Sequence, residues 1–556
     1  MRKNHSARLA LIALIVFALV AGVVALTQNW GKKKDTVTTE AALKTLDNLY
    51  AKLTVNKLPL RQNPDFIFGD ETASHIAVLP DISEYPFRVN PVTDHFLTIY
   101  ASVEISDWLA DMAMRFNQSG TVVGSDPVSV SIRSIPSGLA ADFISSGKYT
   151  PDLYAPSGEI YGDMLIGQGV DARLTEKRLA GNASGILIAK KKGAELSQGG
   201  MLHNGAIIDA VLKGSLALGY TSPLTNEDGF NFILALLSHF DSVNPLSGTA
   251  IESLRQFQDR IPLIAYDNDQ LKASLTGGTL DAIVLNYQAY SSAPNLTASY
   301  DFVPIGYRQD NPIYKVGGLT DIKNRIADQF IAFCLDADAQ KAAADRGFNY
   351  AGEDTGIKAM SGADIYKAQE IYKKEKNGSS DLTVVFVADI SGSMEGSPLL
   401  NLKASLNRAI GIINPNVNVG FVTFSDVVNI AVPIAKFDNN QKSYFSGAVK
   451  SLFAGGGTAM FDAVVVAQKM LMDAKARNPN TKLMIFVLTD GETNRGYSFS
   501  DIESMSGGLR IPIYTIGYNA NIDILQKLSG INEAATINAD SDNVIYRLES
   551  LFNAQM

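Results

Sequence analysis

The segment LTVVFVADISGS, residues 382–393, decides the fold of the C-terminal third of the chain. Its first seven residues are apolar except for one threonine, which is typical of a strand buried on both faces of a parallel sheet. The apolar run ends at Asp389, and Ser391 and Ser393 follow it. Because the strand leads directly into a carboxylate and two hydroxyls, we expect these side chains at the carboxyl edge of a sheet.

Three further apolar runs of strand length lie downstream, at 417–424, 483–488 and 511–516. Between them, apolar residues recur at helical spacing over 399–413 and 460–470. Strands that alternate with helices predict an α/β fold with a doubly wound sheet. Such sheets bind their ligands beyond the carboxyl ends of the strands.

Oxygen-bearing side chains follow the strands of this segment or begin its helices. They are Asp389, Ser391, Ser393, Thr458 and Asp490. Oxygen ligands without imidazole or thiolate suit Mg²⁺ or Mn²⁺ better than zinc or copper. Because Mg²⁺ keeps an octahedral shell that includes water, these side chains leave a position for an outside ligand. Two nearby acids, Asp462 and Glu492, are expected to surround the site rather than bind the metal.

The D-x-S-x-S motif with its separated threonine and aspartate resembles the metal-ion-dependent adhesion site of von Willebrand factor A domains. The resemblance covers residues 381–556. It implies that the serines and Thr458 contact the metal directly, and that the aspartates hold it largely through water. It also implies that a carboxylate from a protein or surface partner completes the metal's coordination. The alternative is a strand-to-helix turn with capping serines, which leaves Thr458 and Asp490 unexplained.

Residues 91–375 carry a second α/β pattern. Strands are predicted at 96–100, 128–132, 151–154, 186–189, 216–221, 282–287 and 302–305. This order of elements resembles the two-lobed type 2 periplasmic-binding fold of solute receptors, including receptors for oxyanions such as molybdate and sulfate. The resemblance implies a ligand cleft between the lobes.

Five side chains are carried over by position as candidates to face that cleft. They are Ser102, Ser137, Ser157, Thr221 and Tyr287. The amino ends of helices offer unpaired N–H donors and a partial positive charge, which suit a small anion. The alternative is that each serine only caps its helix, and that the domain is a spacer that has lost its ligand.

The N-terminal region predicts a membrane anchor over residues 1–30. Leu9–Leu26 is a run of 18 uncharged residues, which as a helix is roughly 27 Å long and just spans a bilayer core. Trp30 and the lysines at 32–34 suit the interface that follows. A signal peptide cleaved near Ala25 is the alternative. Residues 31–90 are predicted to be a linker or stalk with a short helix, and the later domains to be extracytoplasmic.

Composition and motifs exclude several classes of protein. The net charge of -9 argues against nucleic-acid binding. Cys334 is the only cysteine, which excludes an internal disulfide and a thiolate zinc site. No nucleophile elbow or His-Glu-x-x-His motif is present, and the Ser-Ser-Gly-Lys at 145–148 lacks the upstream glycine of a phosphate loop.

We therefore expect a bacterial, membrane-anchored binding protein rather than an enzyme. The metal site would take a protein or surface ligand, and the middle domain would sense a small ligand, an anion being one candidate, or act as a spacer. Two alternatives remain at this point. One is an accessory component of a transport or envelope-stress system that responds to toxic anions, and the other is a chelatase-type assembly partner.

Overall fold

The computed structural model describes residues 37–64 and 79–539, apart from a few short gaps. The gaps are 198, 225, 266–267, 277, 353–354, 377, 379–380, 415, 492, 519–521, 533 and 535. The predicted membrane anchor at Leu9–Leu26 and the C-terminal residues after 539 lie outside the described residues. Within the described ranges, no helix combines the length and the apolar character needed to cross a bilayer.

The described chain begins with helix α1 (Thr39–Tyr50) and the short strand β1 (Val55–Lys57). Thr38 caps the helix, because its side chain accepts a hydrogen bond of 3.3 Å from the Ala41 amide.

The middle region then forms two lobes. The first stretch of chain contains β2 (Phe87–Val89), β3 (His95–Ala101), α2 (Val103–Gln118), β4 (Val122–Val123), β5 (Asp126–Ser134), α3 (Ser137–Ser146), β6 (Leu153–Ala155), α4 (Glu159–Gly167) and β7 (Ala172–Glu176). The second contains β8 (Ala183–Ala189), α5 (Lys190–Ser197), α6 (Asn204–Leu212), β9 (Leu218–Thr221), α7 (Glu227–Phe240), α8 (Gly248–Gln258), β10 (Leu263–Ala265), α9 (Asn268–Thr276), β11 (Ala282–Asn286), α10 (Tyr287–Ser291), α11 (Pro294–Ser299) and β12 (Tyr300–Arg308). The region closes with β13 (Ile313–Val316), α12 (Asp321–Cys334), α13 (Ala337–Ala344) and α14 (Gly362–Glu375).

Each lobe has its own mixed sheet. The sheet of the first lobe has the order β2-β5-β3-β6-β13-β7, with β4 paired to β5, and that of the second lobe has the order β10-β9-β11-β8-β12. The chain enters the second lobe after β7 and returns to the first at β13. The predicted two-lobed α/β architecture is therefore confirmed.

The C-terminal block contains one further sheet flanked by helices. Its elements are β14 (Leu382–Asp389), α15 (Ser397–Ile412), β15 (Asn418–Phe424), β16 (Val428–Lys436), α16 (Asn439–Lys450), α17 (Met460–Arg477), β17 (Lys482–Thr489), α18 (Phe499–Leu509), β18 (Ile513–Tyr518), α19 (Ile522–Gly530) and β19 (Thr536–Ala539). The strand order is β1-β16-β15-β14-β17-β18-β19, and only the β15–β16 pair is antiparallel.

The central strand β14 is buried on both faces, as its apolar sequence predicts. Val384, Phe386 and Ala388 pack into the cluster that contains residues of α15 and α16, whereas Val385 and Val387 pack into the cluster that contains residues of α1, α17 and α18. Alternate side chains of a strand point to opposite faces, so helices cover both sides of this sheet.

Residues 37–64 differ from the expected linker or stalk, because they pack on the C-terminal domain. Ala42 and Leu46 of α1 are fully buried in a core shared with α17 and α18. The Thr39 hydroxyl donates to the Gly508 carbonyl at 3.2 Å, and β1 extends the sheet beside β16. The apolar face of α1 was visible in the sequence, but the surface that it covers lies more than 400 residues away. The middle region is thus inserted between two parts of the C-terminal domain.

Candidate functional site

The predicted metal site lies at the carboxyl end of β14, where Asp389 is fully buried. The Ser391 amide donates to Asp389 Oδ1 at 2.8 Å, and the Thr489 hydroxyl donates to Oδ2 at 2.5 Å. Burial raises the pKa of Asp389 to about 6, although the hydrogen bonds from Ser391 and Thr489 lower it. The carboxylate is therefore held in one orientation.

Two serine hydroxyls lie next to this carboxylate. The Oγ atoms of Ser391 and Ser393 are 3.1 Å apart. Ser393 stands on a single 3₁₀ turn, Gly392–Met394, and is exposed, whereas Met394 anchors the turn in the core. Adjacent oxygen ligands on an octahedral Mg²⁺ with bonds of about 2.1 Å are about 3.0 Å apart. The spacing of the two hydroxyls fits two such ligands.

The glycine-rich loop before α17 is hydrogen-bonded to this turn. The Gly392 amide donates to the Gly456 carbonyl at 3.0 Å, and the Gly455 amide donates to the Ile390 carbonyl at 2.9 Å. Gly456 has a φ of 86°, and a Cβ there would lie 2.4 Å from Asp426 Oδ2. Glycine is therefore required at this position for both its conformation and its small size.

Thr458, which follows this loop, is buried. The Thr458 amide donates to Asn494 Oδ1 at 2.9 Å, and its carbonyl accepts from the Thr493 hydroxyl at 2.8 Å. The backbone amide and carbonyl of Thr458 therefore both have hydrogen-bond partners in the loop after β17.

Asp490 follows β17, which pairs with β14 in parallel so that Ala388 lies opposite Leu488. It is half-buried, and its negative charge contributes to the raised pKa of Asp389. Gly491 adopts a φ of 103° immediately afterwards, and its amide donates to the Thr489 hydroxyl at 3.0 Å. Hydrogen bonds thus tie the loop before Thr458 to the turn that carries Ser391 and Ser393, and the parallel pairing of β17 with β14 places Asp490 near Asp389.

Sequence reasoning missed the part played by Thr489, whereas it expected Asp462 to surround the site without binding the metal. Thr489 ends a predicted strand, but only the pairing of β17 with β14 shows that its hydroxyl meets Asp389. Asp462 accepts a hydrogen bond of 2.7 Å from the Tyr497 amide, so it holds the loop after β17. Glu492 lies outside the described residues.

The donor set of this site is made of oxygen atoms alone. In the described part of the chain, no three carboxylate, imidazole or thiol groups gather closely enough to hold a metal ion. The five residues expected to hold the metal offer two carboxylates and three hydroxyls, a set whose chemistry suits Mg²⁺ or Mn²⁺ better than zinc.

The cleft candidates of the middle region are only partly brought together. The hydroxyls of Ser137 and Ser157 are 3.3 Å apart, and the Ser157 amide also lies 3.3 Å from Ser137 Oγ. Both residues are buried, as is Ser102, whose amide donates to the Ala155 carbonyl at 2.8 Å.

Thr221 and Tyr287 have other contacts within the second lobe. The Thr221 hydroxyl donates to Asn226 Oδ1 at 2.9 Å, beside the start of α7. The ring of Tyr287 packs in an aromatic cluster with Tyr290, Phe302 and Tyr350. The Thr221 hydroxyl thus has a hydrogen-bond acceptor within the protein, and the Tyr287 ring is packed among aromatic side chains.

A residue that sequence reasoning missed reaches the serine pair. Glu227, the first residue of α7, accepts a hydrogen bond of 2.7 Å from the Ser157 hydroxyl. Burial raises the pKa of Glu227 to about 8 and that of its neighbour Asp228 to about 7. The sequence Asn-Glu-Asp at the start of this helix shows two adjacent acids. Acidic residues are common in the first turn of a helix because they stabilise it, so the sequence did not indicate a further role.

Two family models match the chain. Residues 383–554 match the von Willebrand factor type A domain, and residues 97–349 match the bacterial extracellular solute-binding protein family. The chain therefore joins a von Willebrand factor type A domain, abbreviated VWA below, to a bacterial extracellular solute-binding domain. Both matched families support a role in binding or adhesion.

Curated proteins are similar to about a third of the chain. Human inter-alpha-trypsin inhibitor heavy chain H4 is 28% identical over 177 residues, which are 29% of this chain and 19% of that protein. A VWA domain-containing protein of Dictyostelium discoideum is 26% identical over 177 residues, 30% of this chain and 18% of that protein. The chain thus spans about a fifth of the length of these relatives.

Solved structures similar to each domain are also found. A von Willebrand factor type A protein from Catenulispora acidiphila is 19% identical, with a TM-score of 0.29, and covers 31% of this chain and 42% of its own. The sulfate-binding protein of Mycobacterium tuberculosis H37Rv is 15% identical, with a TM-score of 0.33, and covers 49% of this chain and 91% of its own.

Proposed function

We propose that this protein is an extracytoplasmic binding protein whose VWA domain captures a protein or surface ligand through a bound Mg²⁺ or Mn²⁺. The observation that carries the proposal is the pair of serine hydroxyls 3.1 Å apart beside the oriented, buried carboxylate of Asp389. It matches the separation of two adjacent metal ligands.

Each residue of the site has a distinct proposed role. Ser391, Ser393 and Thr458 would contact the ion through their hydroxyls, and Asp389 and Asp490 would hold it largely through water. The ion supplies an open coordination position that accepts a carboxylate from the partner. The exposure of Ser393 supports this role, because it places one edge of the site at the surface.

The N-terminal apolar run supports a membrane location. If Leu9–Leu26 spans the bilayer, only ten residues separate it from the described chain, which starts on the VWA domain. The VWA domain would then lie next to the membrane. We propose that both domains are extracytoplasmic, in keeping with the family that the middle region matches.

For the middle domain, the two functions considered are sensing of a small ligand, an anion being one candidate, and service as a spacer. The contact between Glu227 and Ser157 favours the spacer, because a carboxyl of the protein already takes the hydrogen bond that an anion would need. No catalytic step is proposed for either domain.

The proposal can be tested by affinity capture from envelope extracts with the full-length protein in detergent. A partner should be retained in Mg²⁺ and released by EDTA, and Ser393→Ala should abolish its retention. Asp473→Ala removes a carboxylate that is also in the VWA domain but is exposed on α17, and it should retain the partner. Recovery of the same proteins in Mg²⁺ and in EDTA would contradict the proposal.

A further inference from the structure

The amino ends of α3 and α4 in the first lobe meet at a small buried polar site. Ser137 is the first residue of α3, and Ser157 and Gly158 immediately precede α4. The two serine hydroxyls and the Gly158 amide gather there, and the Tyr154 hydroxyl fixes the Ser137 carbonyl with a hydrogen bond of 2.8 Å. We call Ser137, Ser157 and Gly158 the anion subsite, because amide and hydroxyl donors at helix amino ends suit a small oxyanion.

The anion subsite is filled by a side chain from the other lobe. The carboxyl of Glu227 accepts from the Ser157 hydroxyl at 2.7 Å, and a hydrogen bond from the Gly158 amide lowers the pKa of this carboxyl. Glu227 is 2% exposed, so the carboxyl reaches the subsite with almost no contact with solvent. A planar carboxyl on these donors has the shape of a small carboxylate or oxyanion, although its raised pKa keeps it mostly protonated and uncharged at neutral pH.

Gly158 leaves the room that this carboxyl needs. A Cβ added at Gly158 would lie 2.4 Å from Glu227 Oε1, too close for the carboxyl to stay in place. The backbone of Gly158 is extended, with a φ of -150°, so any residue could adopt it. The glycine is therefore explained by the carboxyl next to it and not by its conformation.

Other groups around the subsite disfavour a second anion. Asp228 and Glu104 both raise the pKa of Glu227 through their negative charge, after the larger effect of burial. The rings of Tyr161 and Phe230, one from each lobe, pack 5.9 Å apart beside it. The lobes thus close over Glu227 with apolar contact, and the charges that shift its pKa are those of acidic side chains.

We propose that Glu227 is a built-in ligand, which occupies the anion subsite, joins the two lobes and excludes free oxyanions from the cleft. This inference rests on the proposed spacer role of the middle domain and gives it a physical basis. It also predicts that a small carboxylate or oxyanion enters the cleft once the Glu227 side chain is shortened.

The test uses hydrogen–deuterium exchange of the full-length protein with acetate, which replaces the atoms removed in Glu227→Ala, and with sulfate. In Glu227→Ala, peptides that cover the start of α4 should exchange roughly tenfold or more faster than in the parent. Acetate or sulfate at tens of millimolar should restore their protection. The parent protein should not respond to either ion. Glu227→Gln should resemble the parent, because its amide still fills the subsite, and Asp228→Asn controls for the loss of a neighbouring charge.

Three outcomes would overturn the inference. They are protection of the parent by acetate or sulfate, failure of both ions to protect Glu227→Ala, and unchanged exchange in Gly158→Ala, whose added methyl displaces the carboxyl without removing it. The Gly158→Ala result decides the matter if Glu227→Ala does not fold. Binding of sulfate by the parent would also end the spacer role, whereas ions that fail to protect Glu227→Ala would leave that role intact.

Discussion

At the scale of single residues, each site depends on a buried carboxyl that accepts a hydrogen bond from a residue distant in the sequence. Asp389 was predicted from the sequence, yet its orientation is set by Thr489, one hundred residues later. Glu227 was not predicted, because an acid in the first turn of a helix has an ordinary structural explanation. Strand ends and their oxygen atoms can be read from the sequence, but the partner of each carboxyl cannot.

Thr489→Val should lower the stability of the VWA domain by about 1–3 kcal/mol, because it leaves Asp389 Oδ2 without its buried donor. Valine keeps the shape of the side chain, so packing in β17 is preserved. Calorimetry of the parent and the variant without metal measures the effect. In an Asp389→Ala background the same substitution should cost much less, since the two residues act on one contact. An equal loss of unfolding free energy in the parent and in Asp389→Ala would show that this hydrogen bond does not stabilise the domain.

The buried acids of the cleft predict a pH dependence of stability. The pKa values of Glu227 and Asp228 are raised to about 8 and about 7, mainly by burial, with repulsion from Glu104 adding to both. The folded state therefore holds protons that the unfolded chain has lost. The stability that these bound protons contribute to the folded state is fully present below the unfolded pKa values near 4. It is lost as the pH rises to about 8.

The melting temperature of the middle domain should accordingly fall between about pH 5 and 8. Glu227→Gln should flatten the decline, because the amide does not titrate. The tyrosines near this carboxyl, Tyr154, Tyr161 and Tyr314, have raised pKa values and stay neutral throughout this range. The same slope in Glu227→Gln and the parent would assign the dependence to other groups.

At the scale of helices and strands, the elements predicted best are those whose apolar pattern is complete within the segment itself. Strand β14 was predicted over 382–388 and ends one residue later, at Asp389. Strands β1, β16 and β19 were not predicted. Strand β16 contains Pro433 and is exposed toward its end, and β1 is stabilised by a partner more than 370 residues away.

The packing of α1 on the VWA domain gives a prediction for Leu46, which is fully buried. Leu46→Ala should destabilise the VWA domain by about 2–5 kcal/mol, as buried leucines do when a cavity is left. Lys44→Ala, on the exposed side of the same helix, is the matched control. The measurement is the melting temperature of each variant, compared with that of the parent protein. If α1 acted only as a stalk, both variants would melt like the parent.

At the scale of the whole molecule, the VWA domain is built from two separate stretches of the chain, and the middle domain lies between them in the sequence. The α/β class and both family resemblances follow from the sequence, because each depends on runs within one domain. The insertion of the middle domain does not, since residues 37–64 join a sheet whose other strands begin at Leu382. Both ends of the inserted middle domain therefore connect to the VWA domain.

The central claim, that the VWA domain binds a divalent cation, is tested most directly by titrating the full-length protein with Mn²⁺ and counting free ion by electron paramagnetic resonance. The parent should bind one Mn²⁺ that Mg²⁺ displaces. Ser393→Ala should weaken binding by at least roughly tenfold, whereas Ser397→Ala, an exposed serine four residues on, should not change it. Equal Mn²⁺ affinity in the parent and Ser393→Ala, or no Mn²⁺ bound by the parent, would contradict the account.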